Sequence, residues 1–242
     1  MKISLLDGIL FFSAMACVPD AGFAATPPAA AAPATPVAKE EVAPTDPVAP
    51  ESNNLPAEVQ KSVREAMQKF NHGDLDGAKA DFQKALAGAP DNVPTLINLG
   101  LIAQRQKDYP EAERLLTAAL HVQPELGAAW LVLGVIYFDQ EKLDRALGAL
   151  AQAAAINPND ARAHHYFGVT LGKKGWYLGA EDEMRKAIEL KPDDAEAHFD
   201  LAVFYLQRTP PAVELARRHY LKARDLGATP DPQVEKSLGM TK

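Results

Sequence analysis

Six histidines and one cysteine, Cys17, are the residues best able to ligate a metal or act as base or nucleophile. His164 and His198 stand 34 residues apart and fall at the same place in a recurring pattern, so their rings could stack. A structural zinc needs four such ligands. The spacings that bring ligands together on one helix, His-x-x-x-His and His-Glu-x-x-His, do not occur, and no cysteine lies near. A lone cysteine also rules out a disulfide framework. Phosphate chemistry would need a Gly-rich loop between a strand and a helix, and acyl transfer a G-x-S-x-G elbow; neither is present. The acidic pairs Glu181/Asp182 and Asp193/Asp194 fall at turns and helix starts, where capping accounts for them. The residues therefore predict no metal, no cofactor and no catalytic site: the chain reads as a non-enzyme.

Composition points the same way. The chain is 47% hydrophobic and 24% charged, with a formal charge of −7. A dispersed acidic balance makes nucleic acid a poor partner. The basic pairs Lys173-Lys174 and Arg217-Arg218 read as solvated helix surface.

The elements that must position any site are set by a period of 34 residues, visible from about residue 55 onward. Small residues recur at Ala66, Gly100, Gly134, Gly168 and Ala202. A second series runs Ala78, Ala112, Ala146 and Ala180, and a third Ala85, Ala119, Ala153 and Ala187. Larger apolar residues stand between these at Phe82, Leu116, Leu150 and Met184, and a proline closes each unit at Pro90, Pro124, Pro158 and Pro192. Glycine inside a helix costs about 1 kcal/mol against alanine, so its recurrence calls for a cause, and close approach of two helix backbones supplies one. Each unit reads as a helical hairpin that must stack on its neighbour to bury its apolar face.

The clearest copy is Trp130-x2-Leu133-Gly134-x2-Tyr137, followed by Ala146, Leu150, Ala153 and Pro158. This pattern resembles the tetratricopeptide repeat. The resemblance implies an all-α, right-handed superhelix of about five hairpins, with repeats near 59–92, 93–126, 127–160, 161–194 and 195–230 and a short capping helix at 231–238. The first copy carries Ser62, Glu65 and Lys69 at bulky apolar positions, as a solvent-facing terminal repeat would. The fifth has two extra residues in its internal turn, around Pro210-Pro211, and resumes with Ala216, Tyr220 and Ala223.

Ahead of the repeats, residues 1–25 read as an export signal, with Lys2, an apolar core from Ile9 to Val18 and small residues for cleavage before Ala25 or before Cys17. Cleavage at Cys17 would make a lipoprotein. Residues 26–54, rich in Ala and Pro, read as an extended tether. Asn53 and Asn54 are suited to open the first helix, and Asp91, Asn92, Asn159, Asp160, Asp193 and Asp194 to cap the later ones. The expected location is periplasmic or secreted, with an outer-membrane lipoprotein as the alternative. Any membrane contact would run through a lipid anchor or an uncleaved signal.

In the family this chain resembles, the fifth and ninth residues of each repeat line a concave groove. Here those are Val63 and Met67, Ile97 and Leu101, Leu131 and Val135, His165 and Val169, and Phe199 and Val203, with Phe138 and Leu206 extending the stripe. A continuous apolar patch marks a partner site. The carboxylate clamp of chaperone-binding relatives is excluded: only Asn98 matches it, and Val63, Met67, Ala128 and Val132 stand where it needs polar or basic groups. The expected function is a non-catalytic scaffold or assembly factor that holds a helix or extended segment of a protein partner. The alternatives are a self-associating array and an accessory module with a cryptic ligand site. If the register is correct, Gly134→Leu overpacks the hairpin seam and costs roughly 1–3 kcal/mol in urea unfolding; an unchanged midpoint would refute the register.

Overall fold

The computed structural model describes residues 55–240, and the regular structure among them is eleven helices without a strand. In order these are α1 (Ala57–Asn71), α2 (Leu75–Gly88), α3 (Val93–Arg105), α4 (Tyr109–Val122), α5 (Gly127–Asp139), α6 (Leu143–Ile156), α7 (Ala161–Lys173), α8 (Tyr177–Leu190), α9 (Ala195–Gln207), α10 (Val213–Asp225) and α11 (Pro232–Ser237). The first ten pair as five hairpins, each packed on the next, in a helical-hairpin superhelix. The expected signal, tether and Asn53/Asn54 cap lie outside the described residues; α1 starts after Pro56 with no side-chain cap.

The turn inside each hairpin has one recipe. Gly73, Lys107, Glu141 and Gly175 all adopt a left-handed backbone, with φ of 80°, 59°, 58° and 78°. The amide after each returns to a carbonyl of the last helical turn: Asp74 to Lys69 at 3.0 Å, Asp108 to Ala103 at 2.8 Å, Lys142 to Tyr137 at 2.8 Å and Trp176 to Leu171 at 3.0 Å. This is the Schellman closure, which satisfies carbonyls the helix end leaves open. Two of the four sites hold glycine, which adopts that backbone freely; Lys107 and Glu141 do so under strain. Asp74 and Asp108 then cap the second helix of their hairpins by accepting from Gly77 and Glu111 amides. Between hairpins, Asn92, Asp160 and Asp194 cap α3, α7 and α9 through Thr95, Arg162 and Ala197 amides. Each is the residue directly before its helix, the one whose side chain can fold back onto the first turn.

The seam of each hairpin explains the small residues. A Cβ on Gly100 would meet Leu116 Cγ at 2.9 Å, one on Gly134 would meet Leu150 Cγ at 2.5 Å, and one on Gly168 would meet the Ala180 carbonyl oxygen at 3.2 Å. Ala66, Ala78, Ala112, Ala146, Ala180 and Ala202 are wholly buried along the same seams. Helices α3 and α5 are buried on nearly all sides, which suits their almost unbroken apolar sequences. The fifth hairpin absorbs its two extra residues in the loop between Gln207 and Val213, and Ala216, Tyr220 and Ala223 return to the core. Val234 and Leu238 of the α11 segment bury against that end, and Asp231 caps the helix through the Gln233 and Val234 amides.

Charged groups enter the core only with partners. Asp81, 2% exposed, accepts from Lys69 at 2.6 Å and Lys84 at 3.1 Å, and these bonds hold its carboxyl below the usual carboxylate range. Glu181, also 2% exposed, accepts from Arg208 at 3.2 Å and Arg185 at 3.4 Å. The Arg208 bond ties the enlarged turn of the fifth hairpin to the hairpin before it, while Arg185 lies on the same helix as Glu181.

Two outcomes follow from this geometry. Gly148, exposed on α6 with open space around its Cα, should gain up to about 1 kcal/mol as Gly148→Ala, whereas Gly134→Ala should lower the unfolding midpoint. Equal effects would contradict the seam. Glu141→Gly removes a strained left-handed residue and should stabilise by roughly 0.5–1 kcal/mol in the same assay.

Candidate interaction surface

The first helices of successive hairpins touch directly, α3 with α5, α5 with α7 and α7 with α9. Among the described residues the second helices form no comparable set of contacts. The odd-numbered helices therefore lie on the tighter, inner side of the stack.

That tightness divides the expected groove residues in two. Val63, Ile97, Leu101, Leu131, Val135 and Phe199 are buried, none more than 3% exposed. They interlock between neighbouring helices and form a floor. Met67, Phe138, His165, Val169 and Val203 are half-buried and retain accessible surface, as does Leu206. Asn98, the lone match to a carboxylate clamp, is fully buried and turns its amide to Met67 Sδ at 3.7 Å. Phe138 packs edge-on against Tyr166, with ring centroids 6.2 Å apart, and Lys173 Nζ sits 4.1 Å above the Phe138 ring. The accessible apolar surface thus runs along Met67, Phe138, Tyr166, Val169 and Val203. Tyr166 belongs to it without having been expected there.

The paired histidines do not stack on each other. His164 Nε2 lies 3.0 Å from the Pro158 carbonyl and His198 Nε2 3.2 Å from that of Pro192, while Trp130 Nε1 donates to Pro124 at 3.0 Å. A carbonyl only accepts, so each imidazole carries a proton on Nε2, and the other His164 nitrogen, Nδ1, lies 2.7 Å from the Glu183 carboxylate. One ring N–H thus ties the proline closing each preceding repeat to the next helix. His198 stacks instead on His219, with Nδ1 atoms 2.9 Å apart. Burial, reinforced by the His198 charge and by Arg218 and Arg185, pushes His219 down to about 4, and burial likewise lowers His198. With His198 Nδ1 left as acceptor, His219 Nδ1–H donates to it.

A second recurrent unit joins successive hairpins, the second to the third and the fourth to the fifth. Arg145 donates to the Tyr137 hydroxyl at 2.7 Å and to Glu113 at 2.6 Å. Arg185 donates to the Tyr205 hydroxyl at 2.9 Å and to Glu181. Each ties the tyrosine of one repeat to a glutamate of the repeat before, although the two arginines sit at different sequence positions.

One side-chain cluster on the inner side combines unlike donors. His165 Nε2 is 3.0 Å from Asp200 Oδ2, and Glu196 lies beside them, with one ligand-capable atom from each residue within 4.8 Å of the others. Burial opposes a charge on His165, but the Asp200 bond and the Asp200, Glu196 and Asp194 carboxylates outweigh it and raise the imidazole above its ordinary value. Local motifs cannot reveal this cluster, because His165 is separated from Glu196 by 31 residues and from Asp200 by 35. The period does encode it: the fifth residue of one repeat faces the second and sixth of the next.

The model of the tetratricopeptide repeat family matches residues 63–112, 97–161 and 168–231. Among curated proteins, the cytochrome c-type biogenesis protein CycH of Rhizobium meliloti (strain 1021) is 33% identical over 100 residues, 40% of this chain and 26% of that protein. The chain spans only 11% to 22% of the length of the first three curated relatives it matches. Among solved structures, MamA superposes with a TM-score of 0.60 at 25% identity, over 66% of this chain and 93% of that one. YrrB, described as a TPR protein with an unusual peptide-binding site, does so at 0.60 and 25%, over 74% of this chain and 89% of that one. Proteins of this kind mediate protein–protein interaction or scaffolding. The seams, the closing prolines and the three family matches agree on one identity: the chain belongs to the tetratricopeptide repeat family.

Proposed function

We propose that this protein is a non-catalytic scaffold of the cell envelope, which holds an extended or helical segment of a protein partner along the inner side of its repeat stack. The observation that carries this reading is the half-buried apolar stripe of Met67, Phe138, Tyr166, Val169 and Val203 over a fully buried floor. Rigid apolar side chains that are already partly ordered lose little further entropy when a partner covers them. Lys173 above Phe138 offers a cation at the stripe's edge, which suits a partner segment with apolar anchors and an acidic flank. The peptide-binding site described for YrrB favours a protein partner, and the cytochrome c biogenesis role in the name of CycH suits an assembly factor. The apolar, Lys-led start of the chain favours export. Among the described residues no helix is long and apolar enough to cross a membrane.

The test separates the stripe from its floor. Leu101→Glu or Val135→Glu would place a charge in the buried floor and unfold the stack. Phe138→Glu, Val169→Glu and Val203→Glu together alter positions that keep access to solvent. In-cell crosslinking read by mass spectrometry should show a partner with the wild-type chain that disappears with this triple variant, checked as folded by circular dichroism. A partner retained unchanged by the folded variant would move the site off the inner side.

A further inference from the structure

The fifth residue of each repeat is a buried apolar group in four of five copies: Val63, Ile97, Leu131 and Phe199. In the fourth copy it is His165, and the next helix answers it with Glu196 and Asp200. Placing three ionisable groups in an otherwise apolar seam carries a desolvation cost that packing alone does not require. Glu196 and Asp200 are one helical turn apart on α9, so their carboxylates project from one face toward α7, which supplies the imidazole. The His165 side chain is 13% exposed and that of Asp200 18%, so the cluster is shielded yet reachable from the inner side.

We propose that His165, Glu196 and Asp200 form a binding site for a divalent cation of the zinc class, which clasps the fourth hairpin to the fifth. One imidazole nitrogen and two carboxylate oxygens are a borderline donor set, suited to zinc, cobalt or nickel rather than to calcium or magnesium, which favour all-oxygen shells. Bond lengths of 2.0–2.2 Å in a tetrahedral site put ligand atoms about 3.4 Å apart. The three donors already lie within 4.8 Å of one another, and His165 and Asp200 within 3.0 Å, so rotamer adjustment suffices and the helices need not move apart. The charges also balance. A neutral imidazole, two carboxylates and a dication sum to zero, whereas a proton shared between His165 and Asp200 leaves the trio at −1. Asp194, the neighbouring carboxylate, is engaged by Lys191 at 3.1 Å and by the Ala197 amide, and so stands apart from the ligand set. Three protein ligands leave a fourth position to water.

The site adjoins the partner stripe, with the His165 and Tyr166 ring centroids 5.7 Å apart, but its test needs no partner. The full chain, stripped with chelator, is titrated calorimetrically with zinc chloride and then with cobalt chloride, whose visible absorption reports tetrahedral nitrogen and oxygen ligation. One equivalent of zinc should bind and raise the melting temperature. Glu196→Gln, which keeps the His165–Asp200 bond, should weaken binding more than about tenfold, and His165→Gln and Asp200→Asn should abolish it. Circular dichroism of the metal-free variants confirms that each is folded, and His219→Gln serves as the control that leaves binding unchanged. Absence of stoichiometric zinc binding by the wild-type chain would overturn the proposal, as would binding unaffected by Glu196→Gln or abolished by His219→Gln.

Discussion

The structure depends on how closely two helix backbones approach inside each hairpin. Gly100, Gly134 and Gly168 leave room for Leu116, Leu150 and Met184 to lie across the first helix, and the series of fully buried alanines lets the second helix return the contact. Apolar side chains thereby interdigitate at interior density, where even one added carbon is felt. With the seam set, the apolar face of the hairpin remains open, and only a neighbouring hairpin can cover it. The superhelix is the result of repeating that demand.

Polar groups keep the repeats in register at positions the apolar seam does not control. Ring N–H groups of Trp130, His164 and His198 bind the carbonyls of Pro124, Pro158 and Pro192. The three prolines are themselves exposed, so these bonds act by fixing the closing turn of one repeat to a side chain of the next helix. The Arg–Tyr–Glu units at Arg145 and Arg185 act at the opposite end of the helices, so the joints between the second and third and between the fourth and fifth hairpins are tied at two levels. Indole and imidazole are chemically unlike, yet both present an N–H at the same reach, which is why the repeat tolerates either.

The inner side shows how packing redistributes a sequence pattern. The helices there approach closely enough that the fifth and ninth residues of the middle repeats close over one another. What remains accessible is displaced toward Phe138, Tyr166, Val169 and Val203, and toward the polar cluster at His165. A surface for binding and a joint between hairpins are thus assembled from the same helices, with depth deciding which residues serve which purpose.

The sequence by itself determined the all-α class, the hairpin register, the turns and the buried alanines, because these follow from a strict period acting through local geometry and contacts within one repeat. It also placed Asn92, Asp160 and Asp194 among the candidate caps, since a cap needs only the chain on either side of it. The tertiary structure decided what lies between repeats. Burial of Leu101 and Val135 depends on how far each hairpin rotates on the last, and a one-dimensional pattern does not fix that rotation. His198 pairing with His219, rather than with His164, depends on which face of α9 meets α10. The meeting of His165 with Glu196 and Asp200 has the same origin: residues 31 and 35 apart become neighbours only when two stacked helices set their offset.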